Sequence, residues 1–225
     1  MMKRHSLTSA PTSAPTSALA SALASTLARC AIAGAMGAAV LAGCASPEPR
    51  YYTLAQGATA VATPPAAAPV PSTNTLWLEV APVRVPERLN RPQLVVRDGS
   101  SDASLRLLDL ARWSSPLPDE LRDALSQRLQ ATLGAVDTYQ QGLSDVQPLY
   151  RITTEVLRLD ADVGQRAGAT INWTVRRLPD GKVVSGRTQA ELSAPGEVDG
   201  VVAAYREIVA STARDIAAGV EALRR

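Results

Sequence analysis

The chain has 225 residues, 23 basic against 21 acidic, with 46% apolar side chains, two cysteines and one histidine. That length suits one ordinary domain plus extra segments, and the near-balanced charge leaves no electrostatic footprint for nucleic acid. His5, Cys30 and Cys44 all fall within the first 44 residues. From residue 45 onward the chain therefore excludes disulfides, Ser-His-Asp or Cys-His catalysis, and any histidine-ligated metal.

Residues 6–28 contain only Ser, Thr, Ala, Pro and Leu, arranged in part as tandem copies of Ala-Pro-Thr-Ser and Ala-Leu-Ala-Ser. They read as compositional drift without a packed structure. Residues 30–44 follow Arg29 as an uncharged run that closes on Leu41-Ala42-Gly43-Cys44. Such a run is too short to span a bilayer and has the length of a signal core. It resembles a bacterial lipoprotein signal: residues 1–43 are removed, Cys44 receives a diacylglycerol, and its new amino terminus is acylated. A short buried helix is the alternative, but that would show polar residues at helical spacing. Cleavage would also remove Lys3, Arg4 and Arg29, leaving 20 basic against 21 acidic residues, a net charge of −1, in a 182-residue chain. No polybasic patch follows Cys44, so attachment would depend on the acyl chains.

Residues 44–75 read as the lipidated cysteine and an Ala/Pro-rich tether. Pro64, Pro65, Pro69 and Pro71 oppose a helix in its second half. Random-coil scaling gives such a tether a reach of roughly 30 Å. Tyr51, Tyr52, Thr53 and Leu54 interrupt it, and read as an added strand or a docking peptide.

The globular pattern is expected from residue 76 to 225. Leu76–Val80 alternates as a strand, Pro82 and Pro86 restrict Val83–Val85 to a short or edge strand, and Leu94–Arg97 is a further strand before an Asp98-Gly99 turn. Leu105–Leu110 is an apolar stretch leading to Trp113. A helix is predicted over 117–134: Pro118, Asp119 and Glu120 suit its start, leucines recur at helical spacing, and Gly134 stops it. Runs at 149–160, 169–176 and 182–192 alternate as three antiparallel strands, with Trp173 inward. A long helix over about 199–223 ends the pattern. The order predicts an α+β fold: a mainly antiparallel, mixed sheet with two long helices packed on one face.

No phosphate loop, nucleophile elbow or zinc spacing is present, so no catalytic residue, metal ligand or cofactor is assigned. Asp160 and Asp162 are the carboxylates that an acid/base hydrolase of envelope glycans would use, and a strand-end turn is the simpler account of them.

The patches Pro49-Arg50-Tyr51-Tyr52-Thr53-Leu54, Val83 through Arg97 with its Arg91-Pro92-Gln93, and Arg112-Trp113-Ser114-Ser115-Pro116-Leu117 resemble the PqiC-like (paraquat-inducible protein C) family of ABC-type transport auxiliary lipoproteins. The long Ala/Pro insert between Leu54 and Leu76 departs from that pattern. The resemblance implies a non-enzymatic, outer-membrane-anchored lipoprotein facing the periplasm. It would partner an MCE-domain protein in a system that moves lipid or other hydrophobic molecules between membranes. Ala45 and Ser46, with no aspartate beside Cys44, favour the outer membrane. A structural lipoprotein of another outer-membrane assembly is the competing expectation. Arg91, Arg97 and Trp113 are candidate interface residues, because they carry the motif and because Arg and Trp favour interfaces. Their structural alternative is a core Trp113 and arginines bonded to loop carbonyls. Tyr51 and Tyr52 are candidates to pair with a neighbouring subunit's sheet edge in a homo-oligomer.

Overall fold

Strand and helix bounds follow the alternation and periodicity of the sequence. In the computed structural model, residues 47–55, 75–99, 104–143 and 145–225 are described. Cys44, the leader over 1–43 and the Ala/Pro insert lie outside the described residues. In chain order the elements are β1 (Arg50–Tyr52), β2 (Leu76–Val80), a 3-10 turn (Glu87–Leu89), β3 (Gln93–Arg97), β4 (Leu105–Trp113), α1 (Leu117–Leu133), β5 (Ala135–Asp137), β6 (Tyr150–Asp162), β7 (Arg166–Arg177), β8 (Val183–Ser193) and α2 (Val198–Arg224).

The fold is α+β, and its strands divide into two sheets where one was expected. The smaller has the order β1-β4-β3, with β1 parallel to β4 and β3 antiparallel to it. The larger has the order β5-β2-β6-β7-β8; its first two pairings are parallel and the remaining two antiparallel. α2 lies over β7 and β8, α1 over β5 and β2, and the helices pack on each other. Leucines of α1 and the Val202, Tyr205, Val209, Ile216 and Val220 stripe of α2 thus close over one core. Gly134 ends α1 at φ 60°, in the left-handed region that glycine enters at no steric cost.

Three local features hold the larger sheet in place. β6 alternates inward at Tyr150, Ile152, Thr154 and Val156, then bulges between Val156 and Arg158. Beyond that bulge the parity flips, so Leu159 and Ala161 enter the core while Arg158, Asp160 and Asp162 take the other face. On β7, Trp173 faces Gly186 of β8, and α2 approaches the same ring at Gly219. Both glycines leave room for the indole: a Cβ at Gly186 would fall 2.2 Å from the ring. Trp173 therefore belongs to the core, as its inward alternation predicts.

A buried ion pair ties α1 to β2 and β5. Arg122 Nη2 donates to Asp137 at 2.7 Å, and Arg122 Nε donates to the Val80 carbonyl. Asp137 also accepts from the Ser126 hydroxyl and from the Val80 and Tyr139 amides. Every lone pair that burial strips of water is thereby met by a donor.

The fold also takes in part of the expected tether. Arg50–Leu54 is built into the smaller sheet and the core, so the fold begins well before residue 76. Backbone pairing with Ala111–Trp113 and complete burial of Leu54 are the physical reasons.

Candidate functional site

The entering segment is held by groups from both helices. β1 pairs in register with β4, Arg50 to Ala111, Tyr51 to Arg112 and Tyr52 to Trp113. The Ser114 amide then donates to the Tyr52 carbonyl at 2.8 Å. Glu120, in the first turn of α1 and only 4% exposed, takes the next residues. One of its oxygens accepts from the Thr53 hydroxyl and the Leu54 amide, both at 2.7 Å. The other accepts from the Ser114 hydroxyl at 2.5 Å and the Ser115 amide at 3.1 Å. From α2, the Arg206 guanidinium donates twice to the Thr53 carbonyl. Arg50 pairs with Asp199 at 3.2 Å, and both side chains are exposed, so that contact adds little. Partial burial, reinforced by the nearby Asp199 carboxylate, pushes the Tyr52 phenol above its ordinary range. Tyr51 points the other way and is 64% exposed.

Beside this segment the two motif stretches meet. The turn after Leu89 presents exposed Arg91, whose amide donates to the Leu89 carbonyl at 2.9 Å. The Trp113 amide donates to the Pro92 carbonyl at 2.8 Å. Asn90-Arg91-Pro92 and Trp113 through Pro116 line an open cavity of about 330 Å³. Trp113 itself is core, 5% exposed. The structure thus brings Tyr52, Arg91 and Trp113 together on one side of the molecule. Tyr51 and Tyr52 pair along the backbone with β4 of their own chain, and β1 is an edge strand of its sheet.

Arg97 lies elsewhere. It sits opposite Leu105, at the far end of the β3–β4 pair from Trp113, roughly 25 Å away by strand rise. Its guanidinium is bonded to Asp160 through Nε at 2.8 Å and through Nη2. Arg158 Nε donates to the other oxygen of Asp160 at 2.9 Å. Burial alone would raise the Asp160 carboxyl, but bonds from Arg158 and Arg97 outweigh it and hold it below the usual carboxylate range. Asp162 is paired with Arg166 at 2.7 Å. An acid/base pair needs one carboxyl that keeps its proton near neutrality. Asp160 is held ionised and Asp162 is engaged by an arginine, so the two do not form that pair.

Two groups of residues escaped the sequence reading. Glu120 reads as a charge favouring a helix start, and nothing nearby in sequence announces its partners at Thr53 and Leu54. The Arg122–Asp137 pair joins residues 15 apart that share no periodicity. Among the described residues no helix is long and apolar enough to cross a membrane.

A family model described as the ABC-type transport auxiliary lipoprotein component matches residues 52–217. No curated protein matches the chain. One solved structure, of an uncharacterized protein, is 21% identical with a TM-score of 0.59, covering 77% of this chain and 99% of its own. A structure from Xanthomonas campestris is 18% identical with a TM-score of 0.51, covering 68% of this chain and 86% of its own. At these identities the two structures speak for the fold alone. The family match begins at Tyr52, inside the entering strand, and takes in both motif stretches that border the cavity.

Proposed function

This chain belongs to the ABC-type transport auxiliary lipoprotein family, and on that premise we propose a specific place for it in the envelope. It is a non-catalytic accessory subunit, held by acyl chains on Cys44 at the periplasmic face of the outer membrane. There it docks an MCE-domain protein of a system that carries lipid or another hydrophobic molecule between the membranes. The observation that supports this reading is the meeting of Arg91-Pro92 with Trp113–Pro116 around one cavity, next to the entering strand that pairs with β4 up to Trp113. The covalent anchor leads directly into that strand, so the candidate docking side stays near the leaflet, where effective concentration favours a membrane-proximal partner.

In this reading Arg91 and Tyr51 make the contact with the partner, because both are exposed. Trp113 shapes the cavity from within the core. Arg97 has a structural part in joining the smaller sheet to β6 through Asp160. Homo-oligomerisation would use the outer edge of β1.

Two measurements test the proposal. Intact mass of the native protein should show the chain starting at Cys44 with acyl mass added; an uncut leader and a bare thiol refute the anchoring. An Arg91→Glu variant should fold normally and lose at least tenfold in recovery of the MCE-domain protein by co-purification. Undiminished recovery removes the docking role, and no recovery even with the unmodified chain favours a structural lipoprotein of another assembly.

A further inference from the structure

We infer that the exposed side of the smaller sheet on which Leu107 and Leu110 border a depression beside Tyr52 rests on the surface of the bilayer that holds the Cys44 acyl chains; this rests on the anchoring proposed above.

The first argument is reach. Five residues, Ala45 to Pro49, separate Cys44 from the first strand residue, Arg50. Six Cα steps extend no further than about 20 Å. The tether of some thirty residues expected from sequence would have let the domain wander, but its first docked residue removes that freedom. Arg50 also marks one end of the molecule: it pairs with Asp199 in the first turn of α2. α2 has 27 residues and so runs about 40 Å. Its opposite end lies by Arg177, whose guanidinium reaches the Leu223 carbonyl. Acylation at Cys44 therefore brings the Arg50 end against the leaflet.

The second argument is direction. β1 runs parallel to β4 with Arg50 opposite Ala111. The part of β4 that precedes Ala111 therefore extends toward the side from which the chain enters β1. That part carries Leu110, Leu107 and Leu105, at 47%, 45% and 42% exposure. They are three of the nine large apolar side chains exposed among the described residues. β4 breaks register with β3 between Leu108 and Arg112, leaving Asp109–Ala111 without antiparallel partners. Leu107 and Leu110 share with Arg50, Tyr52 and Val198 the rim of an open depression of about 510 Å³. Leucines and a tyrosine grouped in this way are costly in water and favourable at a headgroup boundary. Arg50 and Arg106 share the depression with Asp109 and Glu197, and Arg50 also pairs with Asp199, so this side carries no net positive charge and the contact needs no anionic lipid.

The test uses the full acylated protein. Cys44 is the only cysteine that remains after cleavage, so one introduced cysteine takes a single environment-sensitive dye. Leu110→Cys and Leu107→Cys report the proposed face. Val183→Cys is the control: it is as exposed as Leu107 and pairs with Arg176 near the far end of α2. Labelled protein is reconstituted into vesicles of phosphatidylethanolamine and phosphatidylglycerol at three to one, with ordinary or brominated acyl chains, and flotation confirms attachment. Brominated lipid should at least halve emission from positions 107 and 110 and change that from 183 by less than a tenth. Equal quenching at 110 and 183 in floating protein overturns the inference. So does a dye at 110 that is shielded from aqueous quencher yet untouched by brominated lipid, which would assign this face to a second copy or another protein. Protein that neither floats nor carries acyl mass refutes the anchoring, and the bilayer contact with it.

Discussion

Replacing Glu120 should release the entering strand, and the size of the effect can be worked from its bonds. Its two oxygens accept from the Thr53 and Ser114 hydroxyls and from the Leu54 and Ser115 amides. In Glu120→Ala the hydroxyls can rotate toward other partners, but the two amides cannot. Each stranded buried donor costs about 1–3 kcal/mol, so the expected loss for the two is about 2–6 kcal/mol. That is a large share of the roughly 5–15 kcal/mol that holds an ordinary domain. Glu120→Gln keeps the shape and one acceptor oxygen but turns an amide donor toward the other pair, stranding one backbone N–H for about 1–3 kcal/mol. The damage is expected to be local first: exchange of amides over Tyr52–Leu54 should speed by about a hundredfold in Glu120→Ala, while the β6–β7 amides change far less. Urea unfolding ranks the three proteins, and hydrogen exchange by peptide locates the loss. If Glu120→Gln matches the parent within about 0.5 kcal/mol and the Tyr52–Leu54 amides stay protected, the carboxylate does not hold the strand.

Other expectations follow from single contacts. The Asp160 carboxyl is lowered in the folded state, so its stabilisation is present above the ordinary aspartate value of about 3.9 and is lost as pH falls through the lower folded value. Stability of the parent relative to Asp160→Asn, measured by urea unfolding from pH 6 to pH 2, should therefore shrink toward acid; a gap constant with pH rejects the ion-pair account. Gly186→Ala should cost about 1–3 kcal/mol or more, since its Cβ meets the Trp173 ring at 2.2 Å, whereas Ser185→Ala beside it on the exposed face should change thermal stability little. Thr53 bonds Arg206 while Thr75 shares a cavity with Arg224, so residues 55–75 bridge a gap of about 30 Å along α2, against a full extension of roughly 70 Å. Deleting eight residues within 56–74 should leave the unfolding midpoint unchanged; a large drop would show that the insert packs on the domain.

Local sequence determined the elements whose logic is local. Leucine spacing with Pro118 and Gly134 set α1, strict alternation set β7 and β8, and the Val202-to-Leu223 stripe set α2, because each pattern needs only its own backbone period to be read. The Cys30-to-Cys44 run likewise carries its lipoprotein resemblance in adjacent residues. Contacts between distant residues were decided only in three dimensions. The bulge after Val156 turned Asp160 off the core face and into the grip of two arginines, a change of parity that alternation alone does not reveal. Leu105–Leu110 reads only as an apolar stretch, and the place of β4 in the fold is what leaves Leu105, Leu107 and Leu110 exposed. Tyr51–Leu54 reads as an added strand or docking peptide, but which edge it joins was decided by backbone partners on β4 of its own chain and by the acceptors of Glu120, 66 residues beyond Leu54. Hydrogen-bond partners and burial are properties of the assembled chain, so they, and with them the shortness of the link between Cys44 and the fold, belong to the tertiary structure.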